Sequence, residues 1–215
     1  MGITIPRFYA ILDREQAGER SIVDLCDTLL RAGVRLIQYR DKKASSRELY
    51  ESSLALAERV RSAGGTFIVN DRADVARAAG ADGVHLGQDD LPVELGRRVL
   101  GEGKWVGFST HRLDQVVEAD RSSADYIAFG PIFSTQSKAR PDPVVGLEGL
   151  RAARQATRKP LVAIGGITLD RAREVIEAGA DSVAVIADLL RAPDVAARAK
   201  EFLRVLGEGE TGVRD

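Results

Sequence analysis

Short apolar runs alternate with longer amphipathic stretches along the whole chain. Strands are predicted near Phe8–Leu12, Val34–Tyr39, Thr66–Val69, Gly83–Leu86, Trp105–Phe108, Tyr126–Phe129, Leu161–Ile164 and Ser182–Ile186, each followed by a helix candidate. About eight strand–helix units in this order predict an α/β fold, a (β/α)8 TIM barrel. The helix ends repeat a local formula: Ala79-Gly80-Ala81-Asp82 and Ala178-Gly179-Ala180-Asp181 precede apolar runs, and Ala32-Gly33-Val34 is a shorter version. A glycine just past a helix end takes the left-handed conformation without a Cβ clash, so these are turns into strands.

The opposite turns, where strands run into helices, carry the polar residues. In such barrels the loops after the strands build the site, whereas the loops before them serve stability. Asp82, Asp125 and Asp181 precede strands and read as turn residues. Asp71 and Asp90 follow strands and read as site residues. Residues 1–206 are expected to form one barrel domain, Ser134 to Val145 a mobile loop over the site, and 207–215 a frayed, disordered tail.

Composition narrows the function. The 215 residues are 44% hydrophobic and 29% charged with a net charge of −1, which leaves no general basic field for nucleic acid or an anionic membrane. Any anion must be held locally. The single Cys26 has no disulfide partner, the N-terminus lacks a signal-like core, and no apolar run approaches the roughly 18 residues of a membrane span, so a cytoplasmic location is expected.

The candidate chemistry gathers at strand ends. Gln38, Arg40 and Lys42 occupy every second position of one run and share a side if it is extended. Arg40 suits a forked pair with phosphate, Lys42 and Lys138 suit point charges, and Gln38 suits a hydrogen bond to a polar ring edge. Asp71 and Asp90 follow consecutive strands and could supply the one or two carboxylates with which Mg²⁺ is held beside substrate phosphates. Gly165-Gly166 and Ile186-Ala187 are turns into helices whose backbone N–H groups could cradle a phosphate, as expected after the last two strands. Thr135, Ser137 and Lys138 add two hydroxyls and a cation. Cys26 shares helical spacing with Ile22, Leu25 and Leu29 and reads as a core thiol. His85 reads as structural, and His111 fits either a structural or a catalytic role. No P-loop, dinucleotide fingerprint or His/Cys metal spacing is present.

Taken in order, these motifs resemble the thiamine phosphate synthase family from about Arg7 to Leu203. The matching residues are Gln38-x-Arg40-x-Lys42, Asn70-Asp71, the run from His85 to Asp90, Ser109, the loop from Gly130 to Phe133 with Thr135, Ser137 and Lys138, and Ala163 to Ile167. The resemblance implies a transferase in which a thiazole phosphate nitrogen displaces pyrophosphate from a pyrimidine pyrophosphate, through a pyrimidinyl-methyl cation. It further implies Mg²⁺ on Asp71 and Asp90; pyrophosphate on Arg40, Lys42, Ser109 and Lys138; the pyrimidine on Gln38 and Asn70; and thiazole phosphate on Thr135, Ser137, Gly165, Gly166, Ile186 and Ala187. Ser137 stands where a threonine is frequent and Ala187 where a serine is frequent.

Two alternatives remain at this point. A thiazole tautomerase of the same superfamily needs no metal pair, and His111 near its histidine position supports it. A non-catalytic barrel would bind thiazole or thiamine phosphate without turnover. A homo-oligomer is compatible with all three readings.

Overall fold

The structure, a computed structural model, describes residues 3–135 and 142–208. In chain order its elements are β1 (Phe8–Asp13), α1 (Arg14–Ala17), α2 (Ile22–Ala32), β2 (Leu36–Arg40), α3 (Ser46–Ser62), β3 (Thr66–Asn70), α4 (Ala73–Ala78), β4 (Gly83–Leu86), α5 (Val93–Leu100), β5 (Trp105–Thr110), α6 (Leu113–Arg121), β6 (Tyr126–Phe129), α7 (Gly146–Ala156), β7 (Leu161–Ile164), α8 (Leu169–Glu177), β8 (Ser182–Val185), α9 (Ala187–Leu190) and α10 (Val195–Val205). The strands pair in sequence order and β1 closes on β8, all parallel, giving the expected (β/α)8 barrel.

The period of two along each strand divides the apolar residues into two cores. Phe8, Ala10, Ile37, Phe67, Val69, Val84 and Ile127 face outward and merge with the helix stripes. Tyr9, Ile11, Leu36, Ile68, Tyr126, Ala128, Val162 and Ala184 face inward and fill the barrel. Burial on both faces explains why these strands read as nearly continuous apolar runs.

Strands β1, β2, β3 and β5 run one or two residues further than expected, to Asp13, Arg40, Asn70 and Thr110, while β2 starts later and β8 stops earlier. Val34 lies in the turn that closes α2, because its N–H donates to the Leu29 carbonyl at 3.0 Å after Gly33 turns left-handed at φ 107°. Strand β8 stops at Val185, because Ile186 (φ −119°, ψ −79°) has already left the extended region to start α9. The three aspartates before strands are structural, as expected. Asp82, Asp125 and Asp181 accept an N–H at the start of the neighbouring strand, from Phe67 at 2.9 Å, Val106 at 2.7 Å and Leu161 at 2.8 Å. They tie down the barrel base, which leaves the other end free to carry the site. Among the described residues no helix is long and apolar enough to cross a membrane.

Candidate active site

Strand β2 ends in an unusual way: its inward row passes from Leu36 through Gln38 to Arg40, from apolar to amide to cation. Gln38 is buried and donates from Nε2 to the Tyr9 hydroxyl at 2.7 Å. The Arg40 guanidinium pairs with Asp13 at the end of β1, which is only 2% exposed. Beyond the strand, Asp41 Oδ1 accepts the N–H groups of Lys43 (3.0 Å) and Ala44 (3.1 Å), and the loop it folds brings Lys42 onto the Asp71 carboxylate.

Asp71 is held in place by its backbone. Its N–H donates to the His85 carbonyl at 2.7 Å, and its φ of 64° is the only left-handed value at a non-glycine residue among those described. Such a conformation costs on the order of 1–3 kcal/mol and persists where the surroundings impose it. Burial is the main cause that pushes the Asp71 carboxyl up to about 6, and Asp90 within hydrogen-bonding reach adds to it, outweighing the opposing effect of Lys42. Asp90 is anchored in turn, since its Oδ2 accepts the Gly87 N–H at 2.7 Å. The two carboxylates expected to share a cation thus converge beside Lys42. Their all-oxygen character suits a hard divalent ion, and Lys42 already stands against Asp71 as a positive charge. Among the described residues no group of three or more His, Cys, Asp or Glu side chains converges.

Ser109, in the last turn of β5, accepts at Oγ or donates from it to His85 Nε2 at 2.8 Å. Asn70 ends β3 opposite His85. These residues with Gln38, Arg40, Lys42, Asp71 and Asp90 form one side of the barrel mouth, from β2 to β5. The other side belongs to β6, β7 and β8. Gly165 (φ 98°) and Gly166 (φ 64°) fold tightly against the loop after β6: a Cβ on Gly165 would meet Pro131 at 2.5 Å, and one on Gly166 would meet the Ser134 carbonyl at 2.4 Å. Ile132 and Phe133 donate their N–H groups to the Ile164 and Gly165 carbonyls, both at 2.9 Å, and secure that contact. Thr135 follows directly and is half-buried, while Ile186 and Ala187 open α9 next door. Ser137 and Lys138 lie outside the described residues, as does the central part of the expected loop over the site.

Over residues 8–189 the chain matches the family described as thiamine monophosphate synthase. It is 52% identical over 209 residues to a thiamine-phosphate synthase of Koribacter versatilis, covering 95% of this chain and 98% of that protein. A second such protein, from Chloroflexus aurantiacus, is 45% identical, covering 91% of this chain and 90% of its own. The chain belongs to the thiamine monophosphate synthase family. A solved thiamine phosphate pyrophosphorylase from Pyrococcus furiosus superposes with a TM-score of 0.85 at 37% identity over 94% of this chain and 96% of the other. The chain is therefore an enzyme, a transferase of thiamine biosynthesis.

Within this barrel, sequence reasoning missed Asp13, Tyr9 and Tyr126. Asp13 lay hidden at the end of an apolar run, where its only signal was to precede a helix that it caps, accepting the Gln16 N–H at 3.0 Å. The two tyrosines read as ordinary core. His85 also holds more than a strand position, since its ring reaches Tyr126 and Ser109. His111 spends Nδ1 on the Gly130 carbonyl at 2.5 Å and places Nε2 3.4 Å from Asp142, which ties two loops together. Cys26 is fully buried, and burial pushes its thiol up to about 12, in keeping with a core residue.

Proposed function

We propose that the protein condenses hydroxymethylpyrimidine pyrophosphate with hydroxyethylthiazole phosphate, releasing thiamine phosphate and pyrophosphate with the help of Mg²⁺. The observation that carries this reading is the convergence of Asp71 and Asp90 beside Lys42, in a chain whose family match spans all eight strands of the barrel. A reaction that expels pyrophosphate needs cationic stabilisation at the leaving group, and the β2-to-β5 side of the mouth offers it.

In this reading Gln38 and Asn70 orient the pyrimidine. Arg40, Lys42, Ser109 and Lys138 hold the pyrophosphate as it departs. Asp71 and Asp90 would hold Mg²⁺, which when bound neutralises charge on the pyrophosphate oxygens. Because Asp13 occupies part of the Arg40 fork, that guanidinium is fixed in position before substrate arrives. The thiazole phosphate sits on the other side, where Gly165, Gly166, Ile186 and Ala187 offer backbone N–H groups and Thr135 and Ser137 offer hydroxyls. The attacking nitrogen and the methylene carbon then meet between the two sides.

The carboxylate pair favours this reading over thiazole isomerisation, which calls for no cation site, and His111 is engaged in holding loops. Incubation of the purified protein with Mg²⁺ and both precursors tests it. Pyrophosphate and thiamine phosphate should appear in equal amounts. Isomerised thiazole without pyrophosphate release, or binding without turnover, would replace it with one of the alternatives.

A further inference from the structure

A polar chain crosses the otherwise apolar barrel interior. Gln38 Nε2 donates to the Tyr9 hydroxyl at 2.7 Å; the Tyr9 and Tyr126 hydroxyls lie 2.9 Å apart; the Tyr126 hydroxyl lies 3.0 Å from His85 Nδ1; and His85 Nε2 lies 2.8 Å from Ser109 Oγ. Five residues from five different strands are joined, and its ends are the two groups assigned above to the pyrimidine and to the pyrophosphate. The His85 and Tyr126 rings also stack at 5.5 Å, and Tyr9 meets Tyr126 edge to face at 6.1 Å, so the geometry is fixed by packing as well.

Proton counting gives the chain a direction. A phenol has one proton to give, and burial pushes both tyrosines well above their usual range, so each keeps it. Tyr9 accepts from Gln38 and passes its proton to Tyr126. Tyr126 passes its own to Nδ1 of His85, and a neutral imidazole accepting at Nδ1 carries its proton on Nε2. That N–H donates to Ser109 Oγ. The opposite direction would send two donors to Tyr9 and strand its own proton among apolar side chains, which a buried interior disfavours.

We propose that Tyr126 and His85 are positioning residues: they hold Ser109 Oγ as an acceptor on its inner side, so that its single proton is presented outward to the departing anionic group. This rests on the assignment of Gln38 and Ser109 in the proposed function. It extends that assignment by making a pair of barrel-core residues responsible for the polarity of a substrate contact, and it couples occupancy of the pyrimidine end to the leaving-group end.

Two measurements test it. The chain has two histidines, so nitrogen-15 NMR of the ring nitrogens, assigned with His85→Gln, reports the tautomer directly. Neutral His85 with the proton on Nε2 is expected; a proton on Nδ1 would overturn the proposal. The second measurement is kinetic, on Tyr126→Phe, Ser109→Ala and the double variant, with thermal unfolding to confirm that each is folded. Tyr126→Phe should lower kcat by about tenfold with the pyrimidine KM within about twofold, as for loss of a contact that strengthens as charge develops. The double variant should be no slower than Ser109→Ala alone, since Tyr126 acts through Ser109. Should Tyr126→Phe destabilise the barrel, His85→Gln, whose amide still donates to Ser109, should retain more kcat than His85→Leu. Full kcat in Tyr126→Phe and His85→Leu while Ser109→Ala is slow would overturn the proposal and leave the proposed function standing. An unchanged kcat in Ser109→Ala would instead overturn the assignment of Ser109 itself, and this role with it.

Discussion

Gly107 lies against the ring of Tyr126: a Cβ on this glycine would come 2.0 Å from Cζ and 2.3 Å from the hydroxyl. The glycine on β5 is what lets the tyrosine of β6 lie across the barrel and reach Tyr9 and His85. Gly107→Ala should therefore displace Tyr126 and cost about 1–3 kcal/mol, the range for overpacking a core. Chemical denaturation checks the cost, and an unchanged midpoint would show that Tyr126 has room to move.

Asp13 and Arg40 form a pair in which the acid is nearly fully buried. Asp13→Ala would leave a guanidinium uncompensated and remove the α1 cap. Breaking one partner of a buried pair costs about 3–5 kcal/mol, although Arg40 retains some contact with solvent and the lower end is expected. Equilibrium unfolding measures this. The same variant should raise the KM of the pyrimidine substrate, because Arg40 is no longer held in place.

The Asp71 carboxyl gives a pH dependence whose sign can be worked out. Its folded value, about 6, lies above its ordinary 3.8. Between these values the folded protein binds more proton than the unfolded chain, so the contribution of Asp71 to stability is present at low pH and is lost as pH rises through about 6. Cation binding requires the ionised form, so Mg²⁺ affinity should increase over the same interval. Calorimetric titration of Mg²⁺ at pH 5 and pH 7.5 tests this, and Asp71→Asn should remove the difference.

On the side proposed for thiazole phosphate, Ala187→Ser adds one hydroxyl to turns that offer backbone N–H groups. The thiazole phosphate KM should fall by less than about tenfold, the equivalent of one modest net hydrogen bond. A larger gain would mean that the side chain at this position is a principal contact. Gly166→Val is a blunter probe than its position alone implies. Its Cβ would collide with the Ser134 carbonyl at a positive φ, so lost activity would report a displaced loop as well as a blocked phosphate.

The barrel was legible because parallel strands buried on both faces leave compact apolar runs, and because glycines such as Gly33 and Gly179 mark the turns into them. The carboxylates and cations of the mouth were legible for a related reason: polar residues directly after such runs have few structural uses. Asp13 was not, because an acid at the end of a run gives no sign of the arginine one strand away that neutralises it. Tyr9, Tyr126 and His85 were hidden more deeply. Their polar atoms meet only across the closed barrel, between residues as far apart as 9 and 126, and each alone looks like packing.

Turnover of Asp71→Ala and Asp90→Ala as Mg²⁺ is varied tests the central claim most directly. Both variants should keep the wild-type fold by circular dichroism and lose about 100-fold in kcat/KM, comparable to removal of one electrostatic stabiliser of a leaving group. Near wild-type turnover of either variant at limiting Mg²⁺ would contradict the assignment of that carboxylate to the cation.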